Sequence, residues 1–235
     1  MTAGSVLADI GTDHAYIPIW LAENGRIRGA VAMDVNRGPL ERAEENIREH
    51  GLEDRILTRL SDGFAALEPG EADCAVIAGM GGGLTVRILK EGMGLVRTLK
   101  ECILQPQSEI EKVRAFLLEE GFLFISEDMV EEDGKYYPMM KIACPGRKES
   151  LITGEDPAAE ERRENDWDET ELLYGRYLLR DRHPVLRQYR EREIHIKQQI
   201  LKGIEGQDSP RIAARKQELE KEIRKAEKGL VYYAV

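Results

Sequence analysis

An alternation constrains the chain most. Short apolar runs with strand character are followed by segments of helical period, again and again along the first 120 residues. "SVLADI" precedes a helical stretch at 14–24, and "GAVAMDV" (29–35) precedes one at 38–50 opened by Gly38-Pro39. "RILTRL" (55–60) reads as a third strand. "DCAVIAG" (73–79) leads into a helix at 83–92, and "ECILQP" (101–106) into one at 109–120. Alternating βα units predict a mainly parallel sheet with helices on both faces. "FLFISEDMVEE" (122–132) and "KYYPMMKIAC" (135–144) are two more strands, joined at Asp133-Gly134. Asp-Gly between two strand patterns signals a hairpin, which adds an antiparallel last strand.

The pattern then breaks. Residues 147–170, with "EDPAAEERRENDWDE", are acidic and poor in apolar residues and read as a linker or insertion. Beyond them, Val185, Tyr189, Ile196, Ile200 and Ile204 recur at helical spacing, as do Ile212, Leu219, Ile223, Ala226 and Leu230. "EGQDSP" (205–210) separates the two runs. Facing apolar stripes predict an antiparallel coiled-coil hairpin. The expected organisation is a domain over 1–146, the acidic stretch over 147–170 and a helical domain over 171–235. Net charge is −10, but it is unevenly spread. Arg176 to Lys228 holds fifteen Lys or Arg against nine Asp or Glu, a balance of +6 that leaves −16 on the rest. An acidic body with a basic arm is compatible with nucleic acid touching one face. No run of about 18 apolar residues indicates a membrane span. "MTAGSVLADIG" lacks the parts of a signal peptide. Cys74, Cys102 and Cys144 are unclustered, giving neither a disulfide frame nor a metal site, which suits the cytoplasm. A monomer without metal is expected.

Open parallel sheets bind ligands beyond the carboxyl ends of their strands, near the switch in strand order. The first such end is "ADIGTDH". Gly11 stands alone, without the G-x-G-x-x-G that cradles a pyrophosphate. Asp9 and Asp13 flank it; they repel a pyrophosphate and suit a cationic ligand bearing an amine, such as S-adenosylmethionine. Asp34 ends the second strand, 23 residues after Gly11, where an acidic side chain can accept hydrogen bonds from both ribose hydroxyls. In "SDGFAAL", Asp62, next to Gly63, can accept from the exocyclic amine of an adenine. "IAGMGGGL" offers Ala78, Gly79, Met80, Gly81 and Gly82, small residues that let the backbone face a flat substrate or a transferred methyl group. The Asn/Asp-Pro-Pro-Tyr/Phe of adenine-N6 methyltransferases is missing there. Gln105 and Pro106 stand at the rim, and "EEDGKYYP" brings Lys135, Tyr136 and Tyr137 to the same region.

Five βα units followed by a sixth strand and an antiparallel seventh resemble a class I methyltransferase. "VLADIGTDHAYIPIWLA", "AMDVNRGPLERAEENI", "LSDGFAAL", "VIAGMGGGLTVRIL", "ILQP" and "EEDGKYYPMMKI" together resemble the bacterial tRNA adenine-22 N1-methyltransferase (TrmK) family, from about Val6 to Cys144. The resemblance implies a Rossmann-like domain, a C-terminal coiled coil, S-adenosylmethionine as donor and tRNA as acceptor. Two departures stand out: members usually carry a short helix before the first strand, and the acidic stretch 155–171 reads as an addition. On this reading Asp13 acts on the adenine, His14 is a weaker catalytic candidate, and Asp9 orients the donor's amine. Tyr16, Tyr136 and Tyr137 are candidates to stack on the target base. Arg180, Arg182, Arg187 and Arg190 are candidates to meet phosphates. The competing expectations are a small-molecule methyltransferase, a nicotinamide-dependent oxidoreductase on a similar sheet, and a non-catalytic RNA-binding protein.

Overall fold

The computed structural model describes residues 1–145, 166–207 and 209–233. It separates into two compact units: the described residues of Met1–Ser126 and Pro138–Asn165, and those of Glu127–Tyr137 and Asp166–Val235.

The first unit is built on β1 (Ser5–Ile10), α1 (Tyr16–Glu23), β2 (Ile27–Asp34), α2 (Arg37–Glu49), β3 (Ile56–Leu60), β4 (Cys74–Met80), α3 (Gly82–Glu91), α4 (Met93–Val96), β5 (Glu101–Pro106) and α5 (Ile110–Glu119). β6 (Leu123–Glu132) and β7 (Lys135–Ala143) complete the sheet, whose order is β3-β2-β1-β4-β5-β7-β6. Pairing is parallel from β3 across to β5; β7 joins β5 antiparallel, from Glu101↔Ala143 to Leu104↔Met140. The sheet is therefore the expected class I one. Ala30, Val31, Ala32 and Met33 of β2 are all buried, as a strand covered on both faces must be. One cluster packs Ile19 of α1 and Ala43 and Ile47 of α2 against Leu7, Ala32 and Val76. Chain direction across the sheet reverses between β1 and β4, so the switch point lies there. The short α4 has no counterpart in the sequence pattern. Its N-cap is Gly92, where an added Cβ would lie 2.5 Å from Phe64 Cδ2.

The second unit joins the hairpin tip to α6 (Glu169–Tyr174), α7 (Arg176–Arg180), α8 (Pro184–Gly203), α9 (Pro210–Leu230) and a 3₁₀ turn at Val231–Tyr233. Asp168 and Glu171 form a reciprocal capping box: Glu171 N–H donates to Asp168 Oδ1 at 2.8 Å, and Asp168 N–H to Glu171 Oε2 at 3.0 Å. The end of the expected acidic linker is thus the start of a helix, because its Asp168 carboxylate accepts a helix N–H and Glu171 accepts the Asp168 N–H in return. The rest of that stretch, 147–165, lies outside the described residues, as does position 208. Ser209 caps α9 by accepting from Ile212 N–H, with Pro210 at the first helical position. Arg190 meets Gly229 while Lys197 meets Glu222, so α8 and α9 run antiparallel. The facing stripes need one correction. Leu186, Leu219, Ile223 and Ala226 are buried, but Ile196 and Ile200 are 44% and 42% exposed. At that level Lys197 faces α9 instead, its ammonium held between Glu193 and Glu222.

Candidate active site

Three strand ends line up through backbone hydrogen bonds. Gly11 N–H and Thr12 N–H both donate to Met33 O, at 2.7 and 2.8 Å, and Ser61 N–H donates to Asp34 O at 2.9 Å. Gly11, Asp34 and Asp62 therefore stand side by side beyond β1, β2 and β3. On the other side of β1, Ile10 is in register with Ile77, which puts Ala78 and Gly79 next to the Gly11 turn.

Gly11 has φ +75°, and a Cβ there would fall 1.9 Å from Met80 Cε. Only glycine leaves the Met80 side chain its place over the turn. Gly79 also has a positive φ, at +77°, and sits in a register shift between Ala78 and Met80. That bulge turns its N–H toward Gln105 Oε1, 2.9 Å away. Gly82 requires a correction. It is buried against the chain after β5, where an added Cβ would lie 2.4 Å from Ser108 O. Its smallness serves packing, not ligand access. Pro106 is likewise buried, whereas Gly81 is exposed.

Asp9 is 5% exposed, and burial pushes its carboxyl up to about 6. Thr12 offsets part of that rise, although its buried hydroxyl completes no hydrogen bond. Gln105 Nε2 is a second buried polar atom without a partner. Asp34 accepts the Asn36 N–H at 2.7 Å through Oδ1. Asp62 lies 3.3 Å from Arg87 Nη2, and beside it Gly63 has φ +55° and faces Ile88. A cavity of about 320 Å³ is lined by Asp62, Gly63, Phe64, Ile88 and Glu91 among others.

The segment after Gly11 is unusual. His14 and Ala15 both have positive φ, at 61° and 54°. Asn46 Nδ2 holds the first by donating to His14 O at 2.8 Å. Asp13 is exposed and accepts from Arg42 Nη2 at 2.9 Å, with His14 Nε2 at 3.4 Å. The His14 ring stacks on Tyr16, centroids 5.1 Å apart and planes 4° apart, and Tyr16 is 64% exposed. Arg42 and Asn46 were not among the residues expected here. Their signal was faint: they are four apart on α2, bordering the buried Leu40, Ala43 and Ile47.

The remaining expected residues belong to the second unit. Tyr136 meets Tyr189 edge-on, with centroids 5.0 Å apart. Arg180, Arg182 and Arg187 are exposed, and Arg187 Nε donates to Glu191 Oε1 at 2.8 Å. Arg190 is a correction: it is fully buried, its guanidinium 3.4 Å from the Tyr174 ring centroid, so it cannot reach a phosphate on the surface.

Among the described residues no cluster of His, Cys, Asp and Glu could hold a metal ion. The three thiols are buried, and burial pushes the Cys74 thiol up to about 12, away from a reactive thiolate. No helix among the described residues is long and apolar enough to cross a membrane.

The family model described as tRNA (adenine(22)-N(1))-methyltransferase matches residues 7–228. A Bacillus subtilis protein of that name is 32% identical over 201 residues, 86% of this chain and 79% of its own. A structure of a Streptococcus pneumoniae protein, provisionally assigned as a tRNA (m1A22) methyltransferase and bound to S-adenosyl-L-methionine, superimposes with TM-score 0.79. It is 30% identical and covers 97% of this chain and 94% of its own. The Mycoplasma capricolum TrmK structure with S-adenosyl-homocysteine gives TM-score 0.76 at 26% identity, covering 99% and 93%.

Proposed function

Because the chain belongs to the tRNA (adenine(22)-N(1))-methyltransferase family, we propose that its aligned strand ends hold S-adenosylmethionine and its Asp13–Tyr16 segment receives adenine 22 of a tRNA. The chain is an S-adenosylmethionine-dependent tRNA (adenine-N1)-methyltransferase. One observation carries the assignment of the site. The hydrogen bonds from Gly11 and Thr12 to Met33 O and from Ser61 to Asp34 O bring a close-approach glycine and two acidic strand ends together. The donor set fits the group: acidic side chains for an amine and ribose hydroxyls, with unpartnered Thr12 Oγ1 and Gln105 Nε2 nearby.

When bound, the cofactor supplies an electrophilic methyl group on a sulfonium. Asp34 accepts hydrogen bonds from the ribose hydroxyls and Asp62 from the adenine amine. Asp9 orients the methionine amine through backbone or water. Gly11, Gly63, Ala78 and Gly79 keep side chains out of the way.

Adenine N1 carries an in-plane lone pair, so no base is needed to create the nucleophile. The protein's task is to hold the partners about 3–3.5 Å apart and exclude water. The product ring is a cation. Asp13, steadied by Arg42, favours that cation over the neutral substrate and can accept a proton from the N6 amine. His14 holds Tyr16 as a stacking surface for the extruded base. Met80, Gly81 and Gln105 line the acceptor side. Arg180, Arg182 and Arg187 meet tRNA phosphates.

We read the protein as a cytoplasmic monomer, working where its substrate is; light scattering of the purified chain checks the second point. The test of the function is transfer of labelled methyl to unmodified bulk tRNA, with nucleoside mass spectrometry and mapping. The expected result is 1-methyladenine at position 22. Label in a small metabolite, or tRNA binding without transfer, overturns it.

A further inference from the structure

We infer that the second unit carries a nucleobase pocket of its own, in which Tyr136, Tyr189 and Arg192 grip one unstacked base of the tRNA away from the methyl-transfer site. The inference rests on the reading above that tRNA is the substrate.

The cavity measures about 290 Å³ and is lined by Gly134, Tyr136, Tyr189, Arg192, Glu193, Ile196 and Lys197. Drug-sized ligands take about 300–1,000 Å³, so this space suits a single planar ring. Its walls are built, not incidental. Asp133 and Gly134 both have positive φ, at 51° and 73°, giving the tight turn that joins β6 and β7. The turn presents Gly134 O, which accepts from Arg192 Nη1 at 2.6 Å. That bond fixes the guanidinium 5.7 Å from the Tyr136 ring centroid. Tyr189 closes the other side, edge-on to Tyr136 with planes at 61°. Ile196, nearly half exposed, forms the apolar lip.

Recognition here rests on shape and aromatic chemistry more than on net charge. Lys197 is shared between Glu193 and Glu222, and Glu131 accepts the Gly134 N–H at 2.7 Å. No carboxylate among the described residues pairs with Arg192, so its flat guanidinium is the cation the pocket offers a base, within an arm of balance +6. Aromatic faces with a flat cation are the chemistry that holds a base in sequence-tolerant fashion. A second copy of the chain fits less well. The half-exposed Ile196 and Ile200 supply little of the roughly 800 Å² per partner that a stable interface buries.

The experiment measures tRNA binding by wild type, Tyr136→Leu and Ile196→Glu over a range of salt, with S-adenosylmethionine affinity and thermal melting as controls for folding. Leu keeps apolar bulk at 136, and Ile196 is exposed enough for Glu to leave the fold intact. Loss of one stacked base weakens binding about 5- to 150-fold. The expected result is a loss of that order in Tyr136→Leu with an unchanged salt slope, because stacking releases no counterions, and a loss in Ile196→Glu that persists at high salt, where the added charge is screened. Wild-type affinity in both variants overturns the pocket while leaving the methyltransferase reading intact. A loss seen only in turnover at saturating tRNA, and only for Tyr136→Leu, places that ring at the target base and also overturns it. If wild type itself neither binds nor methylates tRNA, the functional reading fails and the pocket falls with it.

Discussion

Replacing Asp9 with Asn should make the protein more stable and worse at holding its donor. In the folded chain burial moves the Asp9 carboxyl from an ordinary 3.8 up to about 6. Between those two values the native state holds a proton that the unfolded chain has released. Stability is therefore greatest below the unfolded value and falls as pH rises through about 6. At about 1.4 kcal/mol per pH unit, the ionised carboxylate costs roughly 3 kcal/mol at pH 7. Asn has the same shape and no charge, and the unpartnered Thr12 hydroxyl nearby can accept from its amide. We expect Asp9→Asn to gain about 1–3 kcal/mol at pH 7.5, which for a chain of this size raises Tm by about 2–4 °C per kcal/mol. The gain should shrink toward zero near pH 4, where wild type is protonated too. Calorimetry should show the reverse for binding. Without the carboxylate the cationic donor loses the negative charge that orients its amine through backbone or water, so its affinity should fall. Wild-type affinity should also fall as pH drops below about 6. A stability gain that is the same at pH 4 and pH 7.5, or none at either, would refute the claim that a charged carboxylate is being held in a dry site.

The other expectations are briefer. Asp34→Ala should weaken S-adenosylmethionine binding by roughly 1.5–3 kcal/mol through lost ribose hydrogen bonds; unchanged calorimetric affinity removes Asp34 from the site. Asp13→Ala should lower the methylation rate more than donor affinity, since the carboxylate acts on the adenine; equal losses make it a donor residue. Converting Arg180 and Arg187 together to Gln should reduce the salt slope of tRNA binding by about two, and an unchanged slope means they only solvate the arm. Gly229→Ala should destabilise the helical unit by about 1–3 kcal/mol, because the new Cβ would lie 2.5 Å from the buried Arg190 Cζ; an unchanged melting curve shows that the arginine can move aside.

The sheet could be read from the sequence because its rule is one-dimensional. Apolar runs bounded by turns gave every strand to within about two residues, and Asp133-Gly134 gave the hairpin. Strand-end residues followed from the same rule, since a parallel sheet offers its ligand the carboxyl ends. Helix α4 escaped because a four-residue turn carries no period. The acidic run before α6 misled because composition hides caps: Asp168 and Glu171 look like solvated charge until their spacing of three is seen as a capping box.

Charges were where sequence reading went furthest astray, and the two cases share a cause. Counting treats every arginine as a surface cation. Arg190, however, lies four residues after the buried Leu186, on the face of α8 that packs against α9. It is covered by Tyr174 and by Gly229, whose missing side chain makes the room. Arg42 and Asn46 go the other way: ordinary polar residues on α2 that reach the loop after β1, in another βα unit. In both cases the partner lies far off in sequence, so no local pattern could reveal it. The consequence for function is concrete. The left-handed pair His14–Ala15 is tied down from α2 through the His14 carbonyl, so the segment that should receive the adenine is braced by the unit that carries Asp34. The proposed donor and acceptor segments are thus linked by side chains of one helix, an arrangement that suits a reaction whose main demand is alignment of its two partners.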